Sequence, residues 1–248
     1  GDYEGVILTT CCESIRRLYD VLKAQLPGRF IYMLDTPRIT KDAGICLYES
    51  RIRKMIGEYE EFSGRHFDEE KFLALLKARK AEQEKRENAQ GKEGSGLSVG
   101  IAGARANQNI RRILEERGVK VAFDLTCTGL DRKLLVEEDQ VITGYARGLL
   151  SQFPCMRMEE AAGRDQLIAE YADSADGIIY HTVQFCDNYA YEYAWLKGIL
   201  KRPMLLLETD YTRQSYGQIL TRIEAFLESL GKGRKKEKFP QEGKKPCT

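Results

Sequence analysis

Short apolar runs rich in β-branched residues alternate with amphipathic stretches along almost the whole chain, and few folds are open to a chain built that way. A strand buried on both faces reads as an unbroken apolar run. Helical stretches between such strands are the crossovers of a parallel sheet. Residues 5–10 read as a first strand, followed by an amphipathic helix over roughly 13–25 with Ile15, Leu18, Val21 and Leu22 on one face. Phe30-Ile31-Tyr32-Met33-Leu34 is a second strand, and helices follow at about 41–62 and 68–89. The stretch from Lys77 to Asn88 is almost wholly charged or polar, as a solvated helix is.

The pattern restarts after Gly91-Lys92-Glu93-Gly94-Ser95-Gly96, the clearest linker signal in the chain. Strands are expected at 97–102, 119–125, 177–183 and 204–207, with helices near 108–117, 136–151, 164–173, after Cys186 and at 213–230. From Gly231 the chain is rich in Lys, Gly and Pro with little to bury, and is expected to be disordered. The fold class is therefore α/β: two Rossmann-like lobes with mostly parallel sheets, plus a helical segment and a disordered tail. The expected division is a partial first lobe with its following helices at 1–90, a linker at 91–96, a second lobe at 97–230 and the tail at 231–248. The first lobe is taken as partial because its first strand begins almost at residue 1 and no initiator Met precedes it.

A net charge of +1 with 31% charged residues offers no whole-protein attraction for nucleic acid or an anionic membrane surface. No run approaches the roughly 18 apolar residues of a spanning helix, and the opening residues lack the pattern of a signal peptide. A cytoplasmic location is the expectation. Seven cysteines without an export signal argue against a disulfide framework and for metal binding, catalysis or burial.

Position makes the cysteines informative, because ligands of open parallel sheets bind beyond the carboxyl ends of the strands. Cys11 and Cys12 follow the first strand, Cys127 follows the strand ending at Leu125, and Cys186 follows the strand ending at Val183. Any one of them taken alone reads better as a small buried hydrophobe. Cys12-Glu13-Ser14 and Cys186-Asp187-Asn188 add a second feature, a sulfur directly before a helix. Helix N-termini favour thiolates, the form that binds iron. One such cysteine from each lobe facing the other across a cleft needs no CxxC spacing.

Other features have plainer readings. Gly100-Ile101-Ala102-Gly103-Ala104-Arg105 reads first as a tight strand-to-helix turn, with a phosphate cradle in which Arg105 meets a CoA phosphate as the alternative. His181, mid-strand among Ile and Val, is expected to be a satisfied core histidine. His66 is expected to be exposed. Tyr189, Tyr191, Tyr193 and Trp195 suit packing or a subunit interface.

Several segments together carry a resemblance. Thr10-Cys11-Cys12-Glu13-Ser14-Ile15-Arg16-Arg17, Asp124-Leu125-Thr126-Cys127-Thr128-Gly129 and Phe153-Pro154-Cys155-Met156 resemble the subunits of 2-hydroxyacyl-CoA dehydratases. So do Asp176-Gly177-Ile178-Ile179-Tyr180-His181 through Phe185-Cys186-Asp187, and Glu208-Thr209-Asp210-Tyr211 through Ala225-Phe226. The same superfamily includes benzoyl-CoA reductase and double-cubane reductase subunits. The resemblance implies a [4Fe-4S] cluster on three cysteines, of which Cys12 (with Glu13 where Asp is usual) and Cys186 match two. The cysteine that the family places earliest has no counterpart in the sequence, and Cys11, Cys127 or Cys155 are the substitutes at hand. It further implies an oxygen-sensitive lyase acting on an acyl-CoA through a ketyl radical, paired with a related subunit as a heterodimer or with itself. An ATP-dependent iron–sulfur activator protein would supply the electron. A reductase subunit or a non-catalytic electron relay is the alternative.

Overall fold

The computed structural model describes residues 3–90, 96–105, 108–127, 129, 136–137, 139–210 and 216–237. The expected alternation is present as β1 (Gly5–Thr9), α1 (Glu13–Gln25), β2 (Phe30–Leu34), α2 (Asp42–Ser63) and α3 (Glu69–Gln90). β3 (Ser98–Gly103), α4 (Gln108–Glu116), β4 (Lys120–Thr126), α5 (Val141–Leu150), a 3₁₀ turn at Glu159–Gly163 and α6 (Arg164–Ala172) follow. β5 (Gly177–Val183), α7 (Asp187–Ile199), β6 (Met204–Thr209) and α8 (Tyr216–Glu237) complete the chain. All strand pairs are parallel, as the apolar runs required.

The chain divides into two units, one of Gly1–Lys92 with Lys133–Arg164, the other of Glu93–Arg132 with Asp165–Thr248. A single cut at the glycine-rich linker assigns α5 to the second lobe, whereas it packs on α2 in unit 1. Residues 91–95 of that linker lie outside the described residues.

In unit 1, β1 and β2 pair in register from Gly5 opposite Phe30 to Thr9 opposite Leu34. The core gathers Leu34, Ile45, Tyr48 and Ile52 against Ile142, Ala146 and Leu150 of α5. The i, i+3, i+7 spacing of Ile45, Tyr48 and Ile52 turns one stripe of α2 inward. The face expected on α1 forms but buries no residue; Leu18 and Val21 are exposed.

Unit 2 has the strand order β4-β3-β5-β6. Val99, Ile101, Ile179 and Leu207 point to one face and pack against Ile110, Ile113 and Leu114 of α4 and Ile219, Ile223 and Phe226 of α8. Each of these fully buried aliphatic side chains stabilises the fold by roughly 1.5–3 kcal/mol relative to exposure. Residues of the other parity turn the opposite way, where the Tyr180 hydroxyl donates to the Glu192 carboxylate of α7. β3 thus sends its helix to one face and β5 to the other, and the strand order reverses between them. Their carboxyl ends form the topological switch point.

The tail differs from expectation at its start. α8 continues through Glu237, past the Gly231 at which disorder was expected. Lys, Arg and Glu are strong helix formers, and extending an existing helix costs no nucleation, so Gly231 and Gly233 do not stop it. Residues 238–248, with Cys247, lie outside the described residues. No helix of the described residues is long and apolar enough to cross a membrane.

Candidate functional site

At the carboxyl edge of unit 1, Thr10 is buried; its hydroxyl donates to Asp35 Oδ1 (2.6 Å) and accepts the Thr36 N–H (3.0 Å). Asp35 also holds Arg51 at 2.8 Å. These bonds fix the ends of β1 and β2 side by side, and Cys11 and Cys12 follow directly. Both are exposed. Cys12 is the N-cap residue of α1 in extended conformation, and its side chain does not cap the helix. The Arg157 guanidinium donates to the Cys11 carbonyl, which brings the turn carrying half-buried Cys155 beside the first strand's end. The sequence separates these residues too widely for that contact to be read from it.

At the carboxyl edge of unit 2, Cys186 is half-buried and is the N-cap residue of α7, again without a side-chain capping bond. Asp187 stands in the first turn, as expected. The residue before it, Phe185, has φ 68° and is 90% exposed. A bulky side chain in left-handed backbone costs about 1–2 kcal/mol, and nothing buried at Phe185 offsets it. The turn that presents Cys186 is therefore held in shape by its surroundings. Cys127 ends β4, half-buried, with its sulfur 2.6 Å from the Tyr189 hydroxyl. Arg105 is exposed at the end of β3.

The sequence-expected residues thus fall into two sets. Unit 1 gathers Cys11, Cys12 and the Cys155 turn. Unit 2 gathers Cys127, Arg105 and the Cys186 end of α7. Tyr189, read from the sequence as packing or interface, is buried and tied to Cys127, while Tyr191 and Trp195 of the same helix are exposed.

His181 is fully buried, with Nε2 2.8 Å from Thr209 Oγ1 and Nδ1 3.5 Å from the Ala104 carbonyl, the core histidine expected. Burial pushes its imidazole below the ordinary 6.5, and backbone hydrogen bonds at Ala104 and Arg105 oppose the shift. The unfolded chain then binds a proton that the folded chain refuses, so stability rises with pH. The contribution is complete above about 6.5 and is lost as pH falls below it. Urea unfolding between pH 7.5 and 5.5 should show a loss of at most about 1.4 kcal/mol per pH unit from this group. His181→Gln should remove that component; an unchanged pH slope would refute it. His66 is exposed, as expected.

For a thiolate-bound cluster the donors fit in kind: two thiols at helix N-termini, neither spent on capping. Among the described residues no group of three His, Cys, Asp or Glu stands together as a ready-made site for one metal ion.

The model of 2-hydroxyglutaryl-CoA dehydratase, D-component, matches the chain over residues 2–92 and 76–230. The chain belongs to this family. Among curated proteins it is 29% identical over 131 residues to the (R)-phenyllactyl-CoA dehydratase beta subunit of Clostridium sporogenes, a match covering 50% of this chain and 35% of that protein. It is 28% identical over 134 residues to the putative dehydratase subunit YjiM of Escherichia coli (strain K12), covering 50% and 34%. The matched stretch takes in about a third of the length of each relative. The family match runs through Cys11, Cys12, Cys127, Cys155 and Cys186. It agrees with the resemblance drawn from the ordered motifs.

Proposed function

We propose that this chain is the iron–sulfur subunit of a 2-hydroxyacyl-CoA dehydratase-type lyase, with Cys12 and Cys186 as two of the cluster's ligands. The observation that supports it is the coincidence of family membership with two N-cap cysteines, one per unit, each following a strand at the carboxyl edge of a parallel sheet. Cys12 and Cys186 would hold the [4Fe-4S] cluster, which when bound would supply low-potential one-electron chemistry for removing the hydroxyl group of a 2-hydroxyacyl-CoA. An ATP-dependent activator would charge it. The chain's own part is to present the two thiols from helix N-termini, where the dipole favours the thiolate. Cys11 and Cys155, both in unit 1, are the candidates for the third position. Arg105, exposed just beyond β3, would meet a CoA phosphate. The partner is a related subunit, on the model of the Clostridium sporogenes relative, whose name makes it one subunit of a larger enzyme.

Anaerobic reconstitution of the chain together with its partner subunit tests this reading. About four iron and four sulfide per cluster are expected, with a brown chromophore that air bleaches. Cys12→Ala and Cys186→Ala should each lose the iron, and Cys46→Ala, at an exposed position on α2, should keep it. Folded protein that takes up no iron, or full iron retention in both N-cap variants, would sink the proposal.

A further inference from the structure

Two strand ends and one helix meet around Cys127, and the way they meet gives that residue a job different from binding iron. Its sulfur lies 2.6 Å from the hydroxyl of Tyr189 and 3.9 Å from the carbonyl oxygen of Gly103. One assignment satisfies both contacts: the thiol S–H donates to the Gly103 carbonyl and the sulfur accepts the phenol O–H. In that arrangement the proton of Cys127 is committed to β3, which disfavours its use as a thiolate ligand.

Tyr189 is buried and lies in the first turn of α7, three residues beyond Cys186. The first bond of that helix runs from the Ala190 N–H to the Cys186 carbonyl (3.3 Å). Fixing the Tyr189 ring therefore fixes the turn whose N-cap residue is Cys186. The other side of that turn carries the left-handed Phe185, whose exposed ring contributes nothing to holding it. Cys127 is anchored in its own right: the Asp124 carboxylate accepts from the Thr126 N–H (3.0 Å) and hydroxyl (2.6 Å), and the Gly129 N–H closes the following turn on the Thr126 carbonyl (2.9 Å). The hydrogen-bonded turn at the end of β4 thus holds the first turn of the helix that presents the sulfur.

We propose that Cys127 and Tyr189 are a positioning pair that seats the first turn of α7 and thereby aims the Cys186 thiol, and that Cys127 is not itself a cluster ligand. The inference rests on the reading of Cys186 as a ligand for its purpose, but its physical content is independent of iron. The pair acts on the orientation of Cys186 through one hydrogen bond in a partly buried contact. Losing such a bond changes a local equilibrium by about three- to tenfold.

The test therefore begins with metal-free, reduced protein. Iodoacetamide labelling of Cys186, followed by peptide mass spectrometry at fixed pH, is compared among the native chain and the variants Tyr189→Phe, Cys127→Ala and Cys127→Ser. Tyr189→Phe and Cys127→Ala should change the Cys186 labelling rate by about three- to tenfold and speed hydrogen exchange of amides 187–190 to a similar degree. Cys127→Ser, which keeps a hydroxyl able to accept from Tyr189, should return both towards native values. In reconstituted protein Cys127→Ser should keep its iron with the native spectrum, while Cys186→Ala should not bind it. Labelling within twofold of native in both disrupting variants, failure of serine to rescue, or loss of iron in Cys127→Ser would each overturn the proposal. If no variant or native protein takes up iron, the dehydratase reading fails while the labelling result still decides whether the pair positions Cys186.

Discussion

Replacing Arg111 by alanine is expected to lower the free energy of unfolding by about 3 kcal/mol, the lower end of what breaking a buried ion pair costs. Asp124 is almost wholly buried at the carboxyl end of β4, and its carboxylate meets the guanidinium of Arg111 on α4. Taking a carboxylate out of water is costly unless a partner and hydrogen bonds replace the lost hydration. Alanine would remove the cation and leave the carboxylate with the Thr126 backbone and hydroxyl donors, which soften the loss without cancelling it. Arg111 is itself partly exposed, which also argues for the lower figure. A double variant, Arg111→Met with Asp124→Leu, removes both charges and should recover part of the stability, the remainder being lost because the buried Thr126 donors lose their acceptor. Urea titration of the three proteins measures this directly. An Arg111→Ala change below about 1 kcal/mol would mean that the pair is no more than a surface bridge. Because Asp124 also holds the turn leading to Cys127, Arg111→Ala should further raise the labelling rate of Cys186.

Gly103→Ala is expected to cost about 3 kcal/mol or more and to damage the site together with the fold. Gly103 has φ 99°, where an L side chain is strained, and an added Cβ would lie 2.2 Å from the carbonyl oxygen of His181. That oxygen belongs to the neighbouring strand and already accepts the Ala104 N–H at 2.8 Å. Neither backbone has room to yield without unzipping the β3–β5 ladder, so conformational strain and overpacking add. The carbonyl of Gly103 is also the acceptor for Cys127, so the displaced strand end should disturb the Cys127–Tyr189 contact. Thermal unfolding and the Cys186 labelling assay report the two effects separately. A melting temperature unchanged from native would show that the turn adapts.

Much of this was legible in the amino-acid sequence because it depends on local patterns. The run Gly177–Val183 is unbroken and β-branched, and such a segment has almost no alternative to a central parallel strand; that strand is β5. Cys12 and Cys186 stand between an apolar run and an amphipathic one, so their N-cap places were readable, and the structure has them there. What stayed hidden depends on long-range partners. Periodicity shows that α5 has an apolar face but not that Ile142, Ala146 and Leu150 meet Ile45, Tyr48 and Ile52. Tyr189 offered an aromatic ring at helical spacing, and only the tertiary fold turns it towards Cys127, 62 residues earlier. Phe185 carried no sign of its left-handed backbone, since the residues that favour that region are Gly, Asn and Asp.

The return of α5 to unit 1 has a consequence for how the protein is made. β1, β2 and α2 leave the ribosome before α5, so the stripe of Ile45, Tyr48 and Ile52 gains the part of its cover supplied by Ile142, Ala146 and Leu150 only when α5 emerges. At roughly 5–20 residues per second that interval lasts several seconds, during which the strands of unit 2 begin to appear. A nascent chain stalled near Lys92 would show an apolar helix face to chaperones, and one stalled beyond Leu150 would hide it. Unit 1 is thus completed only after residues 93–132, which belong to the other unit, have been made.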